Sequence, residues 1–218
     1  MNTRHEIKKI WEIFPDDKSR IIEVRAFHHQ TKTRPKIELF RSFDFLSTRE
    51  FRYAFEEYAL DINKNGFNVY MTLNPIRENI SGKSASDDDI SHRDTLLIDI
   101  DRAGDTKQPA SDEELLLSDR VATRISTDLK AFGWGSPVKV MSGNGYHLYY
   151  RLDNLPNNDE TSSAIKRFLN TLAESYDSKD AKVDRVVFNA SRITKVPGTV
   201  MRKGEESAGR PYRLAKVV

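Results

Sequence analysis

The chain has 218 residues, 38% of them apolar and 31% charged, with a net charge of +2 and no cysteine. That length and apolar content can fill one sizeable core, so a single domain is expected over residues 1–218. The absence of cysteine excludes disulfides, thiolate zinc sites and iron–sulfur clusters and agrees with a reducing cytoplasm; no stretch is apolar enough for a membrane span, nor Met1–Phe14 for a signal peptide.

In chain order, Arg20–Ala26 and Pro35–Phe40 carry the β-branched and aromatic residues of two pairing strands. Ser47–Ile62 reads as a helix capped by Ser47 or Thr48, with Phe51, Phe55 and Tyr58 on its buried face. Phe67–Leu73 is the next expected strand, Arg77–Asp94 a polar loop, and Thr95–Asp101 an apolar strand. After a loop at Arg102–Ala110, a helix is expected from Asp112 to Phe132. Ser111 and Glu114 have the spacing of a capping box, and Val121, Ile125, Leu129 and Phe132 form its stripe.

Val138–Ser142 and Tyr146–Leu152 read as strands joined by a tight turn at Gly143–Gly145, with a loop at Asn154–Asn158. A second long helix, Asp159–Tyr176, follows the i, i+3, i+4 pattern through Ile165, Phe168, Leu169, Leu172, Ala173 and Tyr176. Ser178–Lys182 is a connector, and Tyr212–Val217 the last expected strand. From Thr95 onward the order is β-α-β-β-α-β, that of a ferredoxin-like or RNA-recognition-motif sheet. The expected fold is therefore α/β of the α+β kind: an N-terminal α/β unit (1–94) packed on a sheet unit (95–218), with a cleft between them.

Chemistry concentrates in three segments. In TLLIDIDR, Asp99 and Asp101 stand two apart on a strand and so project from one face. Paired carboxylates repel, and a divalent cation between them relieves that cost; hard oxygen ligands suit Mg²⁺ or Mn²⁺. Taken alone, D-x-D also fits an edge strand whose acids face water. In MSGNGYHLYYR, Ser142, Gly143, Gly145 and His147 offer a hydroxyl, close backbone approach and an ionisable donor, a set suited to phosphate oxygens. An ordinary Gly-Asn-Gly hairpin would look the same. The third segment, VDRVVFNASRITKVPGTVMRK, supplies Asp184, Arg192, Lys195 and Lys203. From Lys182 to the C-terminus nine basic residues face three acidic ones, a net +6 against −4 for the remainder. A solvated basic face is the usual reading of such a run, but beside an acidic site it favours triphosphate or nucleic acid.

An hhDhD strand, an S-G-x-G-x-H hairpin, then an Asp followed by N-x-S-R-x-x-K-x-P-G-T together resemble the catalytic core of the archaeo-eukaryotic primase superfamily, in particular the primase-polymerase (prim-pol) domains of phages, plasmids and other mobile elements. YMTLNPI, Tyr70–Ile76, is similar to the strand before the metal strand, and the likeness spans roughly Phe67–Arg213. The resemblance implies that Asp99, Asp101 and Asp184 are the metal-binding carboxylates and that Ser142 and His147 hold the incoming triphosphate. Arg192 and Lys195 match its basic positions; Asn74 and Lys203 match more loosely, and Asn74 fits equally a turn-stabilising role before Pro75. Many primases of the superfamily carry a cysteine zinc knuckle, which this chain lacks.

The implied function is template-dependent nucleotidyl transfer: a DNA primase, DNA polymerase or both, joining NTPs or dNTPs on a single-stranded DNA template with two Mg²⁺ or Mn²⁺ ions during DNA replication. A replicative helicase or a C-terminal module is an expected partner, and a membrane is not. Two alternatives stay open at this level. One is a non-catalytic single-strand-binding module that stacks bases on Tyr146, Tyr149 and Tyr150; the other is a metal-dependent nuclease.

Overall fold

Two large antiparallel sheets organise the chain, and alternation of apolar side chains decides which face of each is buried. The computed structural model describes residues 3–14, 20–80, 83–104 and 106–218. A short helix α1 (Thr3–Lys8) leads to β1 (Ile21–His28), β2 (Lys36–Arg41), α2 (Thr48–Lys64) and β3 (Phe67–Thr72). β4 (His92–Arg102), α3 (Asp112–Ala131), β5 (Val138–Met141), β6 (Gly145–Pro156), α4 (Asp159–Tyr176) and β7 (Ala181–Val183) follow. Four short strands end the chain: β8 (Ile193–Lys195), β9 (Val200–Met201), β10 (Arg213–Leu214) and β11 (Lys216–Val217).

The first sheet has the order β2-β1-β3-β8 and the second β11-β5-β6-β4-β7; β9 and β10 form a separate pair. Within the second sheet the first and last strands of the β-α-β-β-α-β unit, β4 and β7, are neighbours, as its topology requires. β8 crosses back to pair with β3, so the first sheet takes a strand from beyond residue 95. One buried cluster runs through both sheets, from Val24 and Val69 to Ile98 and Leu169.

Helix starts follow the expected chemistry. The Ser47 hydroxyl accepts the Glu50 amide at the head of α2, and Ser111 with Glu114 forms the full capping box of α3. α2 packs on β2 and β3, burying Phe51, Phe55 and Ala59, while α3 packs across β4 and β6 with Ile125 and Leu129 inward. On β4, Ile98 and Ile100 are fully buried, which leaves Asp99 and Asp101 to point the opposite way.

Several boundaries differ from expectation, each for a reason. β4 begins at His92, inside the expected Arg77–Asp94 loop, because buried partners satisfy its polar residues: Arg20 Nη1 lies 2.5 Å from Asp94 Oδ2, and Arg93 Nη1 donates to the Phe188 carbonyl at 2.7 Å. The same loop contains a 3₁₀ turn at Asp87–Asp89; its residues 81 and 82, and residue 105 of the next expected loop, lie outside the described residues. β6 runs on to Pro156 through the expected Asn154–Asn158 loop, with Asn154 left-handed at φ 49°. The expected Ser178–Lys182 connector ends inside β7, and the expected Tyr212–Val217 strand divides into β10 and β11, which join different pairings. Helix α1, too short for a periodic signal, was not anticipated. Among the described residues no helix is long and apolar enough to cross a membrane.

Candidate active site

The carboxylate pair lies where the two sheets face each other. β4 puts Asp99 opposite His147 and Asp101 opposite Gly145 on β6. Facing them, β3 and β8 contribute Tyr70, Thr194 and Lys195 to a cleft of about 230 Å³, which Ser142, Asn144, Arg192 and Lys203 also line. A larger groove of about 1000 Å³ beside the start of α2 also carries charges of both signs, but the Asp99–Asp101 pair meets Ser142, His147, Arg192 and Lys195 in the smaller cleft.

Packing against backbone explains the glycines. At Gly145 a Cβ would collide with the Ile100 carbonyl oxygen and reach within 3.3 Å of the Asp101 Cα, so only glycine lets β6 run this close to the carboxylate strand. Gly143 adopts φ 111°, and a Cβ there would strike Met201. Neither glycine lines the cleft; the turn offers it Ser142 and Asn144 instead. The Ser142 hydroxyl donates to the Gly145 carbonyl at 3.2 Å, and Asn144 Oδ1 accepts the Ala110 amide at 2.8 Å, which fixes the turn to the loop before α3.

Electrostatics across the cleft are uneven. Asp99 Oδ1 is buried without a hydrogen-bond partner, and His147 Nε2 stands 3.4 Å from it, near enough to pair in charge but not aligned to donate. Burial first, and the Asp99 charge second, raise the Asp101 carboxyl to about 7, with Asp184 adding to the rise and His147 and Lys203 opposing it. Asp101 stays open to solvent, so the repulsion from Asp99 and Asp184 is the firmer part of that rise. For His147, burial pulls the imidazole down, but the charges of Asp99 and Asp101 outweigh it and the net direction is up. Tyr70 is pushed to about 12 by burial and by the same two carboxylates. Lys195 is buried and held well below the ordinary lysine range, by desolvation and then by Arg202; its Nζ donates to the Val200 carbonyl at 3.2 Å.

A hydrogen-bonded relay ties the sheets together behind the acids. His147 Nδ1 shares a hydrogen bond with the Tyr149 hydroxyl at 2.8 Å, and that hydroxyl lies 2.5 Å from Thr194 Oγ1 on β8. Asp184 follows β7 directly, and its amide donates to the Asp99 carbonyl at 2.8 Å. The Asp184 side chain turns into its own loop, where Oδ1 accepts the Val186 amide at 2.9 Å. Among the described residues no three Asp, Glu or His side chains gather tightly enough to grip an ion as they stand. Hard oxygen donors nevertheless fit a divalent cation here, because the orphaned Asp99 Oδ1 and the raised Asp101 are both groups that a cation would satisfy.

Of the expected site residues, Asp99, Asp101, Ser142, His147, Arg192, Lys195 and Lys203 line one cleft, and Asp184 stands beside it. Asn74 does not: its side chain accepts the Asp94 and Thr95 amides and donates to the Ala190 carbonyl, so it braces the turn between the sheets. The polar lining residues Tyr70, Asn144 and Thr194 were given no role from the sequence. Asn144 hid inside a good turn sequence; Tyr70 carried a signal, since alternation along FNVYMT sets it on the face opposite the core residues Val69 and Met71. Tyr149 and Tyr150, candidate stacking residues of the binding-module alternative, are only 2% and 3% exposed and present no open ring.

No family model and no curated protein matches the sequence. Among solved structures, that of primase RepB′ is similar over 99% of this chain, with a TM-score of 0.56 and 15% identity; this chain spans 56% of the length of that one. The catalytic domain of RepB′ in complex with initiator DNA is similar over the whole chain and 84% of its own, with a TM-score of 0.52 and 13% identity. The polymerase domain from Mycobacterium tuberculosis ligase D in complex with DNA is similar over 97% of this chain and 79% of its own, with a TM-score of 0.55 and 15% identity. At such identities the likeness is one of fold: the chain has the fold of these primase and polymerase domains.

Proposed function

We propose that the protein is a template-dependent nucleotidyltransferase, a DNA primase or DNA polymerase that joins nucleoside triphosphates on single-stranded DNA. The observation that carries this reading is the Asp99–Asp101 pair, with its orphaned oxygen, on the floor of a cleft whose other walls bear Ser142, His147, Arg192, Lys195 and Lys203. Carboxylates alone would repel a phosphate chain; set against a basic wall, they suit a substrate that arrives with divalent cations. Asp99, Asp101 and Asp184 would hold Mg²⁺ or Mn²⁺, whose chemistry is to lower the pKa of a 3′-hydroxyl and to neutralise phosphate charge.

The chain's own residues do the remaining work. Arg192 and Lys203 set positive charge where the β- and γ-phosphates would lie, and Ser142 and Asn144 present polar groups on the turn beside them. Arrival of a triphosphate would favour the charged form of Lys195, whose burial otherwise opposes it. His147, held by Tyr149 and Thr194 on one nitrogen, keeps the other turned towards Asp99, with which it pairs in charge. In the transfer, the 3′-oxygen of the growing strand bonds to the α-phosphorus, the α–β phosphoanhydride breaks, and pyrophosphate leaves towards the basic wall.

The test is nucleotide incorporation on a single-stranded DNA template with Mg²⁺ or Mn²⁺, with and without a primer, beside Asp99→Ala/Asp101→Ala. Products without primer that vanish in the double variant support a primase, and products only with primer support a polymerase. Undiminished product from the double variant overturns this site.

A further inference from the structure

The cleft is small, and a template strand is long. About 230 Å³ is less than the roughly 300 Å³ at the lower end of small-molecule pockets, so bases beyond the reacting one must lie on the surface outside. The first sheet offers one continuous exit. Phe27 stands on the same face as Tyr70: Arg25 pairs with Tyr70 across β1 and β3, and Phe27, two residues further along, pairs with Asn68. Its ring meets Tyr70 edge-to-face at 5.8 Å, and Tyr70 lines the cleft with Asp99 and Asp101.

Phe27 is 39% exposed. A single exposed aromatic is unremarkable on any protein surface, but this one continues into a basic hairpin. Residues 29 to 35 contain Lys32 and Arg34 and no Asp or Glu, while Arg25 on the strand is already paired with Glu23. Lys32 and Arg34 are exposed, whereas Lys36 pairs with Ala26 and so stands on the opposite face of the sheet from Phe27, its Nζ over the Phe67 ring. An open ring at the mouth of an acid-bearing cleft, followed by cations without counter-charges in their own segment, is the pattern of a single-strand path: bases stack on the ring while phosphates follow the cations.

We infer that the template strand leaves the cleft over Tyr70, stacks a base on Phe27 and runs along the hairpin between β1 and β2. This rests on the polymerase reading for the identity of the strand, but the surface can be tested separately. Anisotropy of labelled oligo-deoxythymidylates binding to the full chain is measured across a salt series, for wild type, Phe27→Ala, Phe27→Trp and Lys32→Ser/Arg34→Ser.

Phe27→Ala is expected to weaken binding about tenfold, with Phe27→Trp restoring it. The double variant is expected to reduce the slope of log affinity against log salt by about 1.4. Thermal melting that matches wild type excludes a folding defect, as expected for substitutions at exposed positions. Unchanged affinity in Phe27→Ala together with an unchanged slope in the double variant overturns the path, even if the wild type incorporates nucleotides. Phe27-dependent binding by a wild type that incorporates none keeps the path and removes the polymerase reading instead.

Discussion

Asp101 holds its proton to a higher pH than an ordinary aspartate, and that fixes how stability must vary in metal-free protein. A carboxyl whose folded pKa, about 7, exceeds its reference value of 3.8 favours the folded state most below pH 4 and loses that contribution as pH rises through 7. His147, also raised, acts in the same sense at the upper end of the window. Melting temperatures measured from pH 4 to 8 should therefore fall with rising pH in wild type and flatten in Asp101→Asn, and added Mn²⁺ should flatten the wild-type profile too. A wild-type profile without slope would mean that the two carboxylates do not repel. Gly145 gives a second residue-scale test. Gly145→Ala drives a methyl into the Ile100 carbonyl, an obstacle of backbone that cannot rotate away, and should cost about 1–3 kcal/mol in denaturant melts while displacing Asp101. Gly135→Ala, with nothing within 4 Å, should cost no more than a few tenths by the same assay.

Among the elements, α3 is held at its head by one carboxylate with several partners. Glu114 completes the capping box, pairs with Arg102 from β4 at 2.8 Å, and receives both terminal nitrogens of Arg210, at 2.7 and 2.8 Å. The Arg210 hydrogen bond, ahead of the Arg102 charge, holds its carboxyl down at about 2. Its contribution to stability is thus present above the reference value of 4.5 and is lost as pH falls through 2. Glu114→Ala should cost about 2–4 kcal/mol in urea unfolding at pH 7, and the difference from wild type should vanish in strong acid. The long elements that surround this junction were legible in sequence because α3 and α4 repeat their apolar stripe over five turns and β4 alternates through Ile98 and Ile100. β8 and β9 were not, nor was the break that divides the expected Tyr212–Val217 strand into β10 and β11, since strands of two or three residues are too short to show a period. The same contrast governs the site: Asp99, Asp101 and His147 sit on long strands whose faces can be deduced, whereas the burial of Lys195 depends on β8 crossing to a sheet formed some 120 residues earlier.

At the scale of the whole molecule, the two sheets are fastened by polar groups as well as by their shared core. Arg20, just before β1, bonds Asp94 on β4 and the Leu73 carbonyl after β3, with both members of the ion pair nearly inaccessible. Arg20→Ala would strand the Asp94 carboxylate and should destabilise by about 3–5 kcal/mol in denaturant titration, while Arg20→Met/Asp94→Leu, which removes both charges, should recover much of the loss. The crossing of β8 carries the same connection through the cleft, from β3 to Thr194, Tyr149 and His147. The first sheet cannot be completed from one contiguous half of the polypeptide, because its edge strand β8 comes from the other. A chain severed just ahead of β4 would therefore yield two fragments that each fail alone, the first lacking an edge strand and the second left with β8 unpaired; mixed together, they should reassemble as complementing halves of one fold.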